Sequence, residues 1–140
     1  MRKLITLILT AAMLLTFFIP AAAADSVISI KTLEDLKAIV KEPEASYRLD
    51  ADIDMGGADW TPIPFYGILD GNDHVLYNLR ITAPGKDTAV TVDGNNKQYD
   101  TRFAALFSVT RNAEIRDLNL IGAQVSVETD NHCFAAILAG

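Results

Sequence analysis

One cysteine, two histidines and one tryptophan are a thin supply of the side chains that usually build catalytic and metal centres in a chain of 140 residues. The single cysteine, Cys133, excludes an internal disulfide. Beside apolar Phe134 it reads as a small core residue, with intermolecular pairing as the sharper alternative. His74 and His132 lie in no His-Glu-x-x-His frame, so the zinc-protease signature is missing. No serine stands in a Gly-x-Ser-x-Gly elbow. Cys133 and His132 are adjacent, and on a strand adjacent side chains point to opposite faces, which makes a poor nucleophile pair. His74, next to a turn, reads as an exposed residue. No motif asks for a cofactor, and no Asn-x-Ser/Thr site marks a glycosylated loop.

Long apolar runs are missing too, outside the first 24 residues. There Arg2 and Lys3 precede an apolar stretch from Leu4 to Ile19, Pro20 ends it, and Ala21 to Ala24 offer small residues for cleavage before Asp25. That is the layout of a secretory signal peptide. An uncleaved anchor is the alternative, but the stretch falls short of the ~20 residues that a span needs. No cysteine follows it to carry a lipid. Residues 25–140 then form one domain with one modest core. All 18 acidic residues but only ten of the 12 basic ones lie there, a formal charge of −8. Such a surface disfavours nucleic acid and anionic membranes as partners.

What the chain does have is an internal echo. Phe103-Ala104-Ala105-Leu106-Phe107 returns 31 residues later as Phe134-Ala135-Ala136-Ile137-Leu138. Between the copies, apolar residues at 115, 118, 120, 123 and 125 mostly follow a period of two. Repeats of this length without helical periodicity predict a mainly β, stacked architecture, in which each unit covers the apolar side of the last.

Before the stack, residues 25–45 read as a strand at 27–30 and a capping helix. Thr32 is the N-cap, Glu34 and Asp35 sit in the first turn, and Leu33, Leu36, Ile39 and Val40 share one face. Pro43 closes about three helical turns. The rungs occupy 46–140. Residues 47–55 alternate without a break and predict a half-buried strand. After an extended Trp60-Thr61-Pro62-Ile63-Pro64 connector comes a strand at 65–69. The turn at 70–73 gives Gly71 as its positive-φ residue, and Val75, Tyr77, Leu79 and Ile81 resume the alternation. Pro84-Gly85 and Asp93-Gly94-Asn95-Asn96 mark 83–100 as a loop insertion with a hairpin-like tip. Its charged residues are Lys86, Asp87, Asp93, Lys97 and Asp100. Excising it shortens Leu79–Leu118 from 39 positions to 21, close to one rung. No polar cap follows the second echo, so the chain reads as a truncated product or as a piece of a longer protein.

Three constellations could carry chemistry. Asp50, Asp52 and Asp54 resemble the start of a calcium loop, but Met55 holds the glycine position and Thr61 the bidentate one, so a solvated strand face is the plainer reading. Asp70 with Asp73, and Glu114 with Asp117, are paired carboxylates of the kind a glycosidase needs, at a spacing common in ordinary turns. Among Trp60, Phe65, Tyr66 and Tyr77, Trp60 in its proline-rich connector is the candidate for an exposed ligand-binding ring; the others read mostly as core. No catalytic, cofactor-binding or firm metal residue is assigned.

The order Leu49-Asp-Ala-Asp-Ile-Asp-Met55, Trp60-Thr-Pro-Ile63, Phe65-Tyr-Gly-Ile-Leu-Asp-Gly-Asn72 and Asn78-Leu-Arg-Ile81 resembles the opening of GLUG-motif proteins, which are bacterial secreted and surface proteins. Their motif corresponds to Ala105-Leu106-Phe107-Ser108, where both glycines are replaced, and to Ala136-Ile137-Leu138-Ala139-Gly140. The resemblance covers about residues 28–140. It implies a short right-handed parallel β-helix, a solenoid similar to pectin-lyase-like folds, and an adhesin-like role. Such repeats also accompany the metallopeptidase unit of immunoglobulin-A-cleaving enzymes, whose metal motif is absent here. The expected function is a secreted or cell-surface, non-catalytic binding or adhesion module for a surface protein or a carbohydrate. It would self-associate through an open C-terminal rung. A polysaccharide-active β-helix enzyme, or a truncated product without independent function, are the alternatives.

The exported protein is expected to begin near Asp25. N-terminal sequencing of secreted material checks this, and recovery of Met1 there would contradict it.

Overall fold

The structure, a computed structural model, describes residues 26–86, 88–92, 94–130 and 132–139. The expected signal segment, Asp87, Asp93 and Gly140 lie outside the described residues.

Strand β1 (Ile28–Ile30) leads into helix α1 (Leu33–Ala38). Thr32 caps it: its hydroxyl accepts from the Asp35 N–H at 3.1 Å, and the Asp35 carboxylate accepts from the Thr32 and Lys31 N–H groups, both at 3.0 Å. These bonds hold the Asp35 carboxyl below its ordinary pKa, the Lys31 amide contributing most. The helix is shorter than expected, because Ile39–Lys41 tighten into a 3-10 turn. With three residues per turn, Ile39 lands under Leu36 and both are fully buried, while Val40 swings out to 50% exposure. Val40 therefore leaves the apolar face that periodicity gave it.

The strands that follow are short: β2 (Ser46–Leu49), β3 (Ile53–Asp54), β4 (Ile63–Phe65), β5 (Ile68–Asp70), β6 (Val75–Tyr77) and β7 (Arg80–Ile81). Next come β8 (Thr88–Val92), β9 (Gln98–Ala104), β10 (Phe107–Thr110), β11 (Glu114–Arg116), β12 (Asn119–Ile121), β13 (Gln124–Val125) and β14 (His132–Ala135). Among the described residues they form several small sheets, and every strand pair except β8 with β9 is parallel. Pairing repeats in chain order. Tyr47 pairs with Leu69, 22 positions on, and Ile53 with Leu76, 23 on. Leu69 in turn pairs with Ile115, and Leu76 with Leu120.

Two strand expectations need correction. The predicted strand 47–55 is broken at a corner, so β2 stops at Leu49 and β3 starts at Ile53. Parity survives the corner, and Tyr47, Leu49, Ile53 and Met55 are all buried. In β6 the buried residue is Leu76, not Val75 or Tyr77. Asn78, at φ 60°, turns the chain and resets the phase for buried Leu79 and Ile81. That corner is stacked: Gly57, Asn78 and Gly122 all have positive φ, the Gly57 N–H donates to the Asn78 carbonyl, and the Asn78 N–H donates to that of Ile121. Gly71 is not the positive-φ residue of its turn; Asn72 and Asp73 are. Its small size has another cause, since a Cβ there would lie 2.3 Å from the Asp117 carbonyl oxygen of the next turn.

The segment expected as a loop, 83–100, is a β-hairpin of β8 and β9, with Val92 opposite Gln98 at its tip. Strand β9 runs on to Ala104, and its last four residues pair with β14. The 31-residue echo is therefore a register: Phe103 lies beside Phe134 and Ala104 beside Ala135, with the two rings stacked at 6.1 Å. The bridge of Phe107 to Ala139 slips this by one. The insertion is also longer than 18 residues, because Ile68 meets Glu114 46 positions on while Ser46 meets Ile68 only 22 on. Leu120, not Leu118, completes the column with Leu76.

Inward side chains form columns. Phe65 stacks on Phe107 at 4.8 Å and tilts against Tyr47 at 6.3 Å. Each buried Leu, Ile or Phe of these columns contributes about 1.5–3 kcal/mol. Burial is complete at Leu49, Leu69, Leu76 and Ile81, whereas Ile115, Leu118, Leu120 and Val125 of the last turn are half-buried.

Gly71→Ala is expected to lower stability by about 1–3 kcal/mol, since backbone must move to admit the methyl group. Gly57→Ala, at φ +62° with open space around it, should cost only about 1 kcal/mol. Urea unfolding of both variants checks the order, and equal losses would contradict it.

Candidate functional site

The three aspartates singled out for calcium do not converge. Asp50 accepts from the Ser29 hydroxyl and from Arg48 Nε at 2.9 Å. Asp52 Oδ1 accepts from the Val75 N–H at 3.0 Å and lies 2.9 Å from His74 Nδ1. Asp54 Oδ1 accepts from Asn78 Nδ2 at 2.9 Å and from the Gly56 N–H at 2.8 Å. Each carboxylate thus has a partner in a neighbouring turn, and among the described residues no three His, Cys, Asp or Glu gather around a cation position. The corner at 50–52 separates what one continuous strand would have aligned. His74, expected to be merely exposed, is the partner of Asp52.

Asparagines extend the same pattern. Asn72 Nδ2 donates to the Leu49 carbonyl at 3.1 Å, and Asn119 Nδ2 to that of Asp73 at 3.1 Å. Of the paired carboxylates, Asp70 and Glu114 meet on Arg116 at 2.9 and 2.7 Å. Asp73 and Asp117 instead hold positive-φ turn positions. These bonds lower the pKa of four aspartates. The leading cause is the Ser29 hydroxyl for Asp50, the Val75 amide for Asp52, the Asn78 amide for Asp54 and the Arg116 guanidinium for Asp70.

Trp60 cannot serve as an exposed ring. It is buried, and its Nε1–H donates to the Leu106 carbonyl at 2.9 Å. It ties the connector after β3 to the turn before β10. Cys133 is half-buried against the core, and burial pushes its thiol pKa up. Phe65 is core, as expected, and Tyr77 is half-buried.

One half-buried aromatic ring, that of Tyr66, lines a hollow with polar side chains around it. Two adjoining depressions of about 320 and 380 Å³ share Glu44, Tyr66 and Asn112. One extends to Ser26, Ser46 and Ile68, the other to Arg111. Together they form a shallow groove past the starts of β1, β2, β5 and β11, roughly 14 Å at the spacing of neighbouring strands. Its floor is main chain: the Ile68 N–H donates to the Ala45 carbonyl at 3.3 Å and the Glu114 N–H to that of Gly67 at 3.0 Å. Gly67 keeps that floor low, as a Cβ there would lie 2.0 Å from the Ala45 oxygen. Glu44, Arg111 and Asn112 stand exposed on its walls, and Tyr66 is half-buried. No side-chain hydrogen bond or ion pair within the described residues engages Tyr66, Glu44 or Arg111.

No motif points to Glu44, Arg111 or Asn112, and Tyr66 falls among the aromatics that read mostly as core. The signal that finds them is spacing. Residues 44, 66 and 112 are separated by 22 and 46 positions, the same offsets as Tyr47, Leu69 and Ile115. No known protein family, curated protein or solved structure matches this chain. Among the described residues no helix is long and apolar enough to cross a membrane.

Carboxylates with lower pKa values when folded than when unfolded stabilise the protein at neutral pH. That contribution disappears as pH falls through the folded-state values, where both states are protonated. The melting temperature is therefore expected to drop below about pH 4. Asp52→Asn should melt lower at neutral pH and show a shallower acid decline. Calorimetry across pH checks this, and an unchanged slope would contradict the role given to Asp52.

Proposed function

We propose that this chain is a secreted or cell-surface, non-catalytic binding module of the GLUG-repeat kind, a short right-handed parallel β-helix that takes a carbohydrate at Tyr66. Parallel pairing in chain order, at offsets of 22 and then 46, supports the β-helix reading. The insertion between turns accounts for the larger offset.

The groove carries the functional reading. A tyrosine ring offers an apolar face to the C–H surface of a sugar and a hydroxyl to its oxygens. Glu44, Arg111 and Asn112 supply an acceptor, a donor fork and an amide along the same line. Few convergent polar groups around an aromatic platform are what a small-ligand site needs. The groove runs along the stacking direction, which suits a linear chain of sugar units. The acidic surface favours a neutral glycan over an anionic one.

The non-catalytic part of the reading rests on Asp70. A glycosidase acid needs a raised pKa, whereas the Arg116 guanidinium holds Asp70 below the usual range.

Titration against a panel of soluble neutral oligosaccharides tests the proposal. Tyr66→Ala and Arg111→Ala should each weaken binding about tenfold or more, with melting temperature unchanged. Binding that survives both changes would remove the site from this groove. Release of new reducing ends from a polysaccharide would favour the enzyme reading instead.

A further inference from the structure

We propose that two copies of this chain pair end to end through β11, antiparallel and centred on Ile115. Among the described residues, strands β11, β12, β13 and β14 each close their sheet and have a neighbour on one side only. Around that edge Ile121, Phe134 and Ile137 are 61, 55 and 48% exposed. Such an edge of unpaired backbone and apolar side chains invites another strand.

The backbone of β11 fixes which groups are free. The Glu114 N–H donates to the Gly67 carbonyl at 3.0 Å, and the Arg116 carbonyl accepts from the Gly71 N–H at 2.8 Å. Both flanking residues therefore turn their backbone groups towards β5. Strand alternation aims the N–H and C=O of Ile115 at the open side. Two antiparallel copies meeting there form a closely bonded pair, each Ile115 donating to and accepting from the other.

Charge selects this arrangement. The strand reads Glu114-Ile115-Arg116. In-register parallel pairing would set Glu114 on Glu114 and Arg116 on Arg116. A two-fold axis at Ile115 sets Glu114 of each copy against Arg116 of the other, twice. Arg116 is already held in place by Asp70 at 2.9 Å. On the inner face the half-buried Ile115 side chains meet, and each copy covers the other's last turn. The local complementarity offsets the general repulsion between two acidic chains.

Sedimentation equilibrium at tens of micromolar tests the proposal on the full chain. The wild type should be a dimer. Glu114→Arg alone and Arg116→Glu alone should each raise the dissociation constant at least tenfold. An equimolar mixture of the two variants should restore a heterodimer, because every facing pair is then of opposite charge. Ile115→Pro removes the outward N–H without breaking a bond inside the chain, so it should be a folded monomer by circular dichroism. It also decides the matter if Arg116→Glu does not fold. A monomeric wild type overturns the proposal. So do variants that associate like the wild type, as head-to-tail stacking would allow, or folded variants whose mixture stays monomeric.

Discussion

A parallel strand buries its inward side chains against the next turn only while the register between them holds. A slip of one residue at β5 would carry Leu69 out of the column it shares with Tyr47 and Ile115 and put Ile68 in its place. That constraint explains why so much of the polar chemistry is spent between turns. Asp50, Asp52, Asp54, Asp70, Asn72 and Asn119 each bond to a neighbouring turn, and several of these bonds reach backbone groups at corners. Apolar columns supply the larger energy but slide easily. Directional bonds at the corners fix where each column stops.

The same constraint sets the backbone chemistry of the corners. Parallel strands paired in register must bend at the same place as their neighbours, so positive φ recurs at Gly57, Asn78 and Gly122. Asparagine and glycine are the residues that take that conformation at least cost. Where two turns come closest, at Gly67 and Gly71, the need is for space, not for a left-handed φ. Tyr66, Glu44 and Arg111 take no part in this work and stand at the surface.

The mainly β character and part of the strand pairing were legible in the sequence. The echo of Phe103-Ala104 at Phe134-Ala135 is a pairing register, residue beside residue in parallel strands. The N-cap at Thr32 and the hairpin-like tip of the insertion were legible as well, both being local. Corners were not. Alternation in 47–55 continues through the bend at 50–52, so the period alone could not reveal the break. Trp60 looked exposed because prolines surround it, yet its indole N–H finds the Leu106 carbonyl 46 positions away. Tyr66 was hidden for the converse reason. Its neighbours in space, Glu44 and Arg111, become neighbours only when the offsets of the stack are known.

Those offsets define the strand pairing, and backbone proton contacts measured by nuclear magnetic resonance read them directly. The amide of Leu69 should show through-space contacts to backbone protons near both Tyr47 and Ile115, and that of Leu76 to those near Ile53 and Leu120, in a parallel pattern. Contacts that instead join Leu79 to Leu118, or an antiparallel pattern outside the β8–β9 hairpin, would contradict the stacked arrangement and the groove built upon it.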